Sequence, residues 1–362
     1  MTAPSFVKKT VKDCLRIKKD DRVLIFTWRH TLDLAEALAI ECMKTGADTH
    51  VELQSDEIFF ETLTSLSIDD LKRTDPFGLA LLDVSTANIF ISGPEDPTRM
   101  RGIPAEKWNA MFRSEKPFYD KMLQRKVRSV EIMIGLVTPQ RAKTYGFIYK
   151  DWKENMQAAL DVQYHEMRKL AMKLEKVLTR AREVRIATSN GTDLKLNLEE
   201  RPILIYDGVI DEEDLSEGAY FAALPSGNVS VAPKETSGDG SFVSDAPEPS
   251  QGMLFRDVTW KFKDGKLVSF EGGGDTDILK QTWAKSVGDK DRIASLTFGI
   301  NPNARTGFTF NPIVLGTVTI GVGDNRELGG KNESDYGLRF TATKPTVEFD
   351  GKIVIKQGRI TL

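Results

Sequence analysis

The chain has 362 residues, 50 of them basic and 53 acidic, for a formal net charge of −3. This balance, with a pI near 5.9, argues against the strongly basic face of a nucleic-acid binder. No apolar run approaches the ~18 residues that span a bilayer. Two cysteines, Cys14 and Cys42, rule out a disulfide framework or a zinc ribbon and fit a reducing cytoplasm. With 40% apolar and 28% charged residues, the length points to about two domains with sizeable cores. The start, Met1-Thr2-Ala3-Pro4-Ser5-Phe6, lacks the basic-then-apolar layout of a signal peptide, so no export is expected.

Residues 5–19 read as a first helix from the spacing of Val7, Val11, Cys14, Leu15 and Ile17. Asp20-Asp21 breaks it, and Arg22 to Thr27 is a short apolar run typical of a strand covered on both faces. Leu32 to Thr45 is a second helix that stops at Gly46. Strands follow at Thr49–Leu53, Asn88–Ser92 and Val130–Val137, with helices at 56–65 and 68–83. Strands alternating with helices predict a parallel sheet with helices on both faces. Residues 150–182 read as one long amphipathic helix along Met156, Leu160, Val162, Met167, Leu170, Leu174 and Leu178.

The texture then changes to short alternating strands: Val184–Thr188, Leu194–Leu198, Val258–Phe262, Val318–Val322, Thr346–Phe349 and Lys352–Lys356. Asn190-Gly191, Asp264-Gly265 and Asp350-Gly351 lie among them, and such pairs are the strongest short-range hairpin signal. Residues 234–250 read as a loop. The expected layout is therefore an α/β sheet domain over 1–150, a linking helix over 151–183, and a β-rich α+β domain over 184–362 that contains the cavity.

The C-terminal half carries a series of motifs. Gly191-Thr-Asp-Leu194 comes first, then Leu224-Pro-Ser-Gly-Asn-Val229, then Ile293 to Phe298 leading into Gly299-Ile-Asn-Pro-Asn303. Gly316-Thr-Val-Thr-Ile320, Gly323-Asp-Asn325, Gly329-Gly-Lys-Asn-Glu-Ser334 and Lys344 to Gly351 follow. In this order and spacing the series resembles the aminopeptidase T/aminopeptidase S family of two-metal leucyl-type aminopeptidases. The 2,5-dihydroxypyridine dioxygenases share that scaffold. The resemblance is specific over residues 190–351 and generic before them, and it implies a homodimer enclosing an internal cavity.

Two neighbouring divalent ions need bridging carboxylates and imidazoles to hold them. The resemblance places a Glu in Leu-Pro-x-Gly-Glu-Val, where this chain has Asn228, and a Glu ahead of Gly-x-Asn-Pro, where it has Ser295. It places a His in Gly-Thr-Val-His-Ile, here Thr319, and His-x-Asp after Asn-x-Ser, here Gly337 and Arg339. A Tyr seven residues past the Thr319 position is here Arg326. Each aligned ligand position has lost its donor: Asn and Thr are weak neutral donors, Gly has no side chain, and Arg is a permanent cation. None of the three histidines (His30, His50, His165) falls in the β-rich region. Neither the dinuclear site nor a dioxygenase-type iron site is expected, so no cofactor is.

What the pattern leaves is a cleft with altered electrostatics. Asn228, Ser295, Thr319 and Arg326 are the candidate catalytic positions. Arg339, Lys331, Asn301, Glu333 and Asp324 are the candidate substrate contacts, with Lys234 and Asn325 nearby. Guanidinium groups replace a dication naturally when a carboxylate or phosphate must be held. The expectation is a divergent, aminopeptidase-like protein, hydrolase-like if active, that acts without metal on a small anionic or amide-bearing molecule in the cytoplasm. Its partner would be a small-molecule or peptide-like ligand, with no nucleic acid and no membrane. Two alternatives remain: a metal-dependent aminopeptidase or ring-cleaving dioxygenase with ligands moved to His30, Asp324, Glu333 and Asp335, or an inactive structural paralogue.

Several weaker signals have simpler readings. His30 follows the first strand, where ligands often bind, but a hydrogen-bonded structural histidine is commoner. Gly272-Gly-Gly274 reads as a turn, since no Gly-x-Gly-x-x-Gly follows the first strand. Ser295 has neither a nearby His nor a Gly-x-Ser-x-Gly elbow to make it a nucleophile. The acidic residues Asp324, Glu327, Glu333 and Asp335 read as a surface loop.

Overall fold

The structure is a computed structural model that describes residues 4–100, 102–250 and 253–362. The chain forms two units: residues 1–161 with 208–225, and residues 162–207 with 226–362.

The first unit is an α/β sheet of five parallel strands. Their order is Asp48–Gln54, Arg22–Trp28, Ala87–Ile91, Arg128–Ile132 and Phe221–Leu224. The parallel sheet is as expected, but its fifth strand comes from residues that follow the chain's excursion into the second unit. An apolar run of four residues has no periodicity by which to be recognised. Buried Asp21 pins the entry to the sheet: its carboxylate takes the Arg128 guanidinium at 2.6 Å, the Thr86 hydroxyl at 2.7 Å and the Lys18 N–H at 2.9 Å. These contacts outweigh the burial that opposes its charge and hold its carboxyl below the usual range.

Arg128 also donates to the carbonyls of Leu15 and Arg16 at 2.6 and 3.0 Å. Arg16 has a positive φ of 51°. The first helical stretch therefore ends at Cys14, short of the expected residue 19. The expected helix over 68–83 is two, Ile68–Leu71 and Pro76–Val84, because Asp75 caps the second through the N–H groups of Phe77 and Gly78. The expected strand Val130–Val137 stops at Ile132 and turns through Met133–Leu136. Gly135 sits there so close to the Ser92 carbonyl that a Cβ would collide with it. The 20-residue helix Ala105–Gln124 had no forecast; Pro117 interrupts its pattern without ending it.

Asn88 lies at the centre of this sheet, between Leu24 and Ser129, fully buried and with neither amide atom hydrogen-bonded among the described residues. Ser129 makes no demand on it, donating instead to the Val127 carbonyl. An unpartnered buried amide is destabilising. Asn88→Leu is expected to stabilise the protein by about 1–2 kcal/mol in urea unfolding; a loss of stability would show that the amide is needed.

The expected single helix over 150–182 is two helices, Tyr149–Leu160 and Tyr164–Leu178. Asp161 leaves helical geometry (φ −95°, ψ 46°), and its carboxylate is drawn to Lys9 Nζ at 2.6 Å and the Ser5 hydroxyl at 2.5 Å. The apolar stripe continues across the break, which is why periodicity alone fuses the two.

The second unit is β-rich, as expected. Its main path runs Leu338–Ala342, Val318–Val322, Ile293–Gly299, Asn228–Pro233, Asp193–Tyr206, Glu183–Ala187, Thr346–Phe349, Lys352–Lys356 and Arg359–Ile360. Asp264-Gly265 and Asp350-Gly351 make the forecast hairpin turns, each residue having positive φ. Residues 234–250 are not a plain loop: they hold the strands Asp239–Val243 and Glu248–Ser250. Gly272–Gly274 is likewise the end of the strand Lys266–Gly274 rather than a turn. The core gathers around fully buried Trp260, whose ring meets Phe340 edge-on at 4.9 Å, with Phe242 and Phe298 also fully buried.

Candidate functional site

Side chains alternate across a strand. Val229, Val231, Leu296, Phe298, Val318, Ile320, Phe340 and Ala342 are buried apolar side chains of four neighbouring strands. The residues between them make the opposite face polar. Registers place Ser230 opposite Thr297, Thr297 opposite Thr319, and Thr319 opposite Thr341. This row of four hydroxyls across four strands is buried throughout, Thr319 and Thr341 completely. The Ser230 and Thr297 hydroxyls lie 2.8 Å apart and those of Thr319 and Thr341 2.9 Å apart, and Ser230 also donates to the Asn228 amide oxygen at 3.2 Å.

Two residues further along the same face, Ser295, Gly321 and Arg339 stand opposite one another. Gly321 is needed here for space: a Cβ would collide with the Ser295 hydroxyl and come within 3.2 Å of Arg339 Cγ. Ser295 Oγ and the Arg339 side chain therefore flank a strip of bare backbone. Arg339 is exposed and forms no ion pair among the described residues. Its charge reaches the Tyr206 phenol, which burial, the dominant effect, pushes up to about 12 with help from Glu327. Gly321→Ala is expected to force Ser295 out of place. Gly321 being buried, this overpacking should lower stability by about 1–3 kcal/mol in urea unfolding; an unchanged midpoint would show that the strip has room for a methyl group.

The structure thus brings Asn228, Ser295, Thr319 and Arg339 onto one face. The other predicted residues have their own partners. Arg326 pairs with Asp324 at 2.6 Å and Glu333 at 3.1 Å. The Lys331 N–H donates to Glu235 at 2.7 Å, and Asn325 donates to the same carboxylate at 3.2 Å. Lys331 and Lys234 line a depression of about 330 Å³ with Glu199, Glu235, Asp289 and Arg292. Asn301 is fully buried and braces a turn, donating to the Ser226 carbonyl and accepting from the N–H groups of Asn303 and Ala304. Gly337 is exposed.

Among the histidines, His30 bonds the Gly135 carbonyl at 2.9 Å, a structural contact, while His50 and His165 are exposed. Sequence reasoning did not single out Arg201, Glu235 or Glu248. Arg201 and Glu235 form a two-point ion pair at 2.7 and 2.6 Å with both side chains nearly buried. Burial opposes the Glu235 charge, but Arg201 and the Lys331 N–H outweigh it and hold the carboxyl at about 2. Nothing in the local sequence marks this pair, whose members are 34 residues apart.

The chain is thus a two-unit protein, a parallel α/β unit joined in sequence to a β-rich unit with a polar sheet face. The family model described as thermophilic metalloprotease (M29) matches residues 4–290, and the chain belongs to that family. The match ends just ahead of the strands that carry Ser295, Thr319 and Arg339. Wild-type AmpT from Thermus thermophilus has a similar structure, with a TM-score of 0.75 and 16% identity over 99% of each chain. So does 2,5-dihydroxypyridine dioxygenase from Pseudomonas putida KT2440, with a TM-score of 0.62 and 14% identity over 99% of this chain and 96% of that one. At these identities the likeness is one of fold. No curated protein matches the sequence.

The family name implies a metal, and the residues present fit one poorly. The polar face offers hydroxyls, one amide and a guanidinium, and a guanidinium repels a cation. Among the described residues no three His, Cys, Asp or Glu side chains are grouped so as to hold an ion, and no helix is long and apolar enough to cross a membrane.

Proposed function

We propose that this member of the M29 family uses its polar sheet face to bind a small anionic or amide-bearing molecule, without a metal. The observation that carries the reading is Arg339, an exposed side chain with no ion pair among the described residues, whose Cγ lies across bare Gly321 from the Ser295 hydroxyl. Guanidinium and hydroxyl donors arranged side by side suit an oxyanion. The neighbouring Asn228 amide and hydroxyl row offer both donors and acceptors, which suits an amide. Should the bound molecule be processed, Arg339 would hold its charge and the hydroxyl row would orient its polar end. The chain would then be hydrolase-like.

Calorimetry tests this with acetate and sulfate as oxyanion probes, and separately with zinc and cobalt. The wild-type chain is expected to bind an oxyanion, and Arg339→Met to weaken that binding at least tenfold. Tight one-to-one uptake of zinc or cobalt that Thr319→Ala removes would defeat the proposal.

A further inference from the structure

The depression of about 330 Å³ in the β-rich unit shares no lining residue with the polar sheet face. Four stretches of chain build it, and they carry Glu199, Lys234, Arg292 and Lys331. Hydrogen bonds tie these stretches to one another. The Lys331 N–H donates to Glu235 at 2.7 Å, and the Glu333 N–H to Asp289 Oδ2 at 3.1 Å. The buried Asn332 amide donates to the Ile293 carbonyl at 2.9 Å. The walls are therefore held in place, around a volume at the small end of ligand pockets.

The charges on these walls are unevenly satisfied. Arg201, which is not part of the lining, holds Glu235 at 2.6 and 2.7 Å and reaches Glu199 at 3.0 Å. Lys234 approaches Glu199 only to 3.8 Å, and both side chains are nearly half exposed. The Arg292 guanidinium reaches the Asp264 carbonyl at 3.4 Å. Neither Arg292 nor the exposed Lys331 ammonium forms an ion pair among the described residues. Asp289 is the one lining carboxylate without a cation. Two unpaired cations thus stand against one unpaired carboxylate, and the loosely held Lys234 adds to the positive side.

We propose that this depression is a second anion site, which takes a phosphate group through Lys331, Arg292 and Lys234. The inference stands apart from the reading of Arg339. A phosphate group carries about −1.5 to −2 charges at neutral pH and has three strong acceptor oxygens. That matches three cationic donors from three separate stretches of chain. A single carboxylate would cancel the excess charge but leave donors unused. Arg292 supplies a planar fork and the two lysines supply point charges, the usual division of labour around phosphate. The same chemistry fits inorganic phosphate and the phosphate monoester of a small molecule. Lys331 belongs to the Gly329–Ser334 motif, so the site gives that motif a role away from the polar face.

The experiment is calorimetry on the full chain at pH 8, where phosphate is chiefly a dianion. Inorganic phosphate and glycerol phosphate are the probes, and the tighter of the two identifies the source of the phosphate group. The titrations use Arg339→Met, so that the polar face adds no oxyanion binding of its own. Saturable one-to-one binding in the millimolar range or tighter is expected in that chain. Lys331→Met and Arg292→Met, each added to it, are expected to weaken the binding by about tenfold or more, as loss of a charged donor requires. Lys331→Met keeps the backbone N–H on which Glu235 depends. The two substitutions lie on different stretches of chain, so if one variant folds poorly the other still decides. No saturable binding of either probe to Arg339→Met overturns the proposal. Binding that both added substitutions leave unchanged overturns it too, because the anion then lies elsewhere. Both outcomes leave the Arg339 reading standing, since that is tested with acetate and sulfate on the chain with Arg339 intact.

Discussion

Arg201→Ala is expected to destabilise the β-rich unit by about 3–5 kcal/mol, the usual effect of leaving a buried charge without its partner. Only 6% of the Arg201 side chain and 13% of the Glu235 side chain are exposed, so the stranded carboxylate recovers only part of its hydration, through the depression it lines. Glu235 also accepts from the Lys331 N–H and the Asn325 amide. Asn325 in turn accepts from the Asn332 N–H at 2.8 Å. Loss of Arg201 therefore loosens the Asp324–Ser334 loop as well as the pair. Urea unfolding followed by tryptophan fluorescence measures the change. A loss below about 1 kcal/mol would class the pair with exposed ion pairs and refute the assignment. Glu235 also carries a pH signature. Its carboxyl is depressed to about 2, so its contribution is present above the ordinary value of 4.5 and is lost as pH falls towards 2.

The Glu248 carboxyl acts in the opposite direction. Its folded value of about 7 lies above the ordinary 4.5, so the folded state holds the proton more tightly than the unfolded chain. The resulting stability is complete below pH 4.5 and is lost as pH rises through 7. The difference amounts to roughly 3 kcal/mol at most, at about 1.4 kcal/mol per pH unit. Wild-type protein is thus expected to lose stability between pH 5 and pH 8 relative to Glu248→Gln. Urea midpoints for the two proteins across that range check it. Parallel curves would mean that the Glu248 carboxyl is hydrated in the folded protein.

Both effects arise from residues that the sequence does not advertise. Glu235 and Glu248 lie in a Gly-, Pro- and Ser-rich stretch that reads as loop, and each becomes important only through a distant partner. By contrast, the hairpins at Asp264-Gly265 and Asp350-Gly351 are evident locally, because positive φ at two successive positions is a property of the turn itself. The parallel sheet is likewise evident from apolar runs between helical stretches. Its last strand, Phe221–Leu224, is not, since four residues carry too little pattern. The break at Asp161 escapes for the reverse reason: the helical pattern is continuous, and contacts with Lys9 and Ser5 end the helix.

The amino-acid sequence by itself determined the two kinds of architecture and the side chains available at the motif positions: amide, hydroxyl, glycine and guanidinium, where the resemblance leads one to expect carboxylate and imidazole. These are properties of single residues and of short-range periodicity. Tertiary structure alone decided which of those groups meet. Strand register sets Ser230, Thr297, Thr319 and Thr341 in one row and opens a gap at Gly321 between Ser295 and Arg339. It is packing, too, that carries the Ser244 hydroxyl to the Thr341 carbonyl, 97 positions away in the chain. Such juxtapositions depend on the pairing of strands remote in sequence, and burial then sets the charge each group can hold.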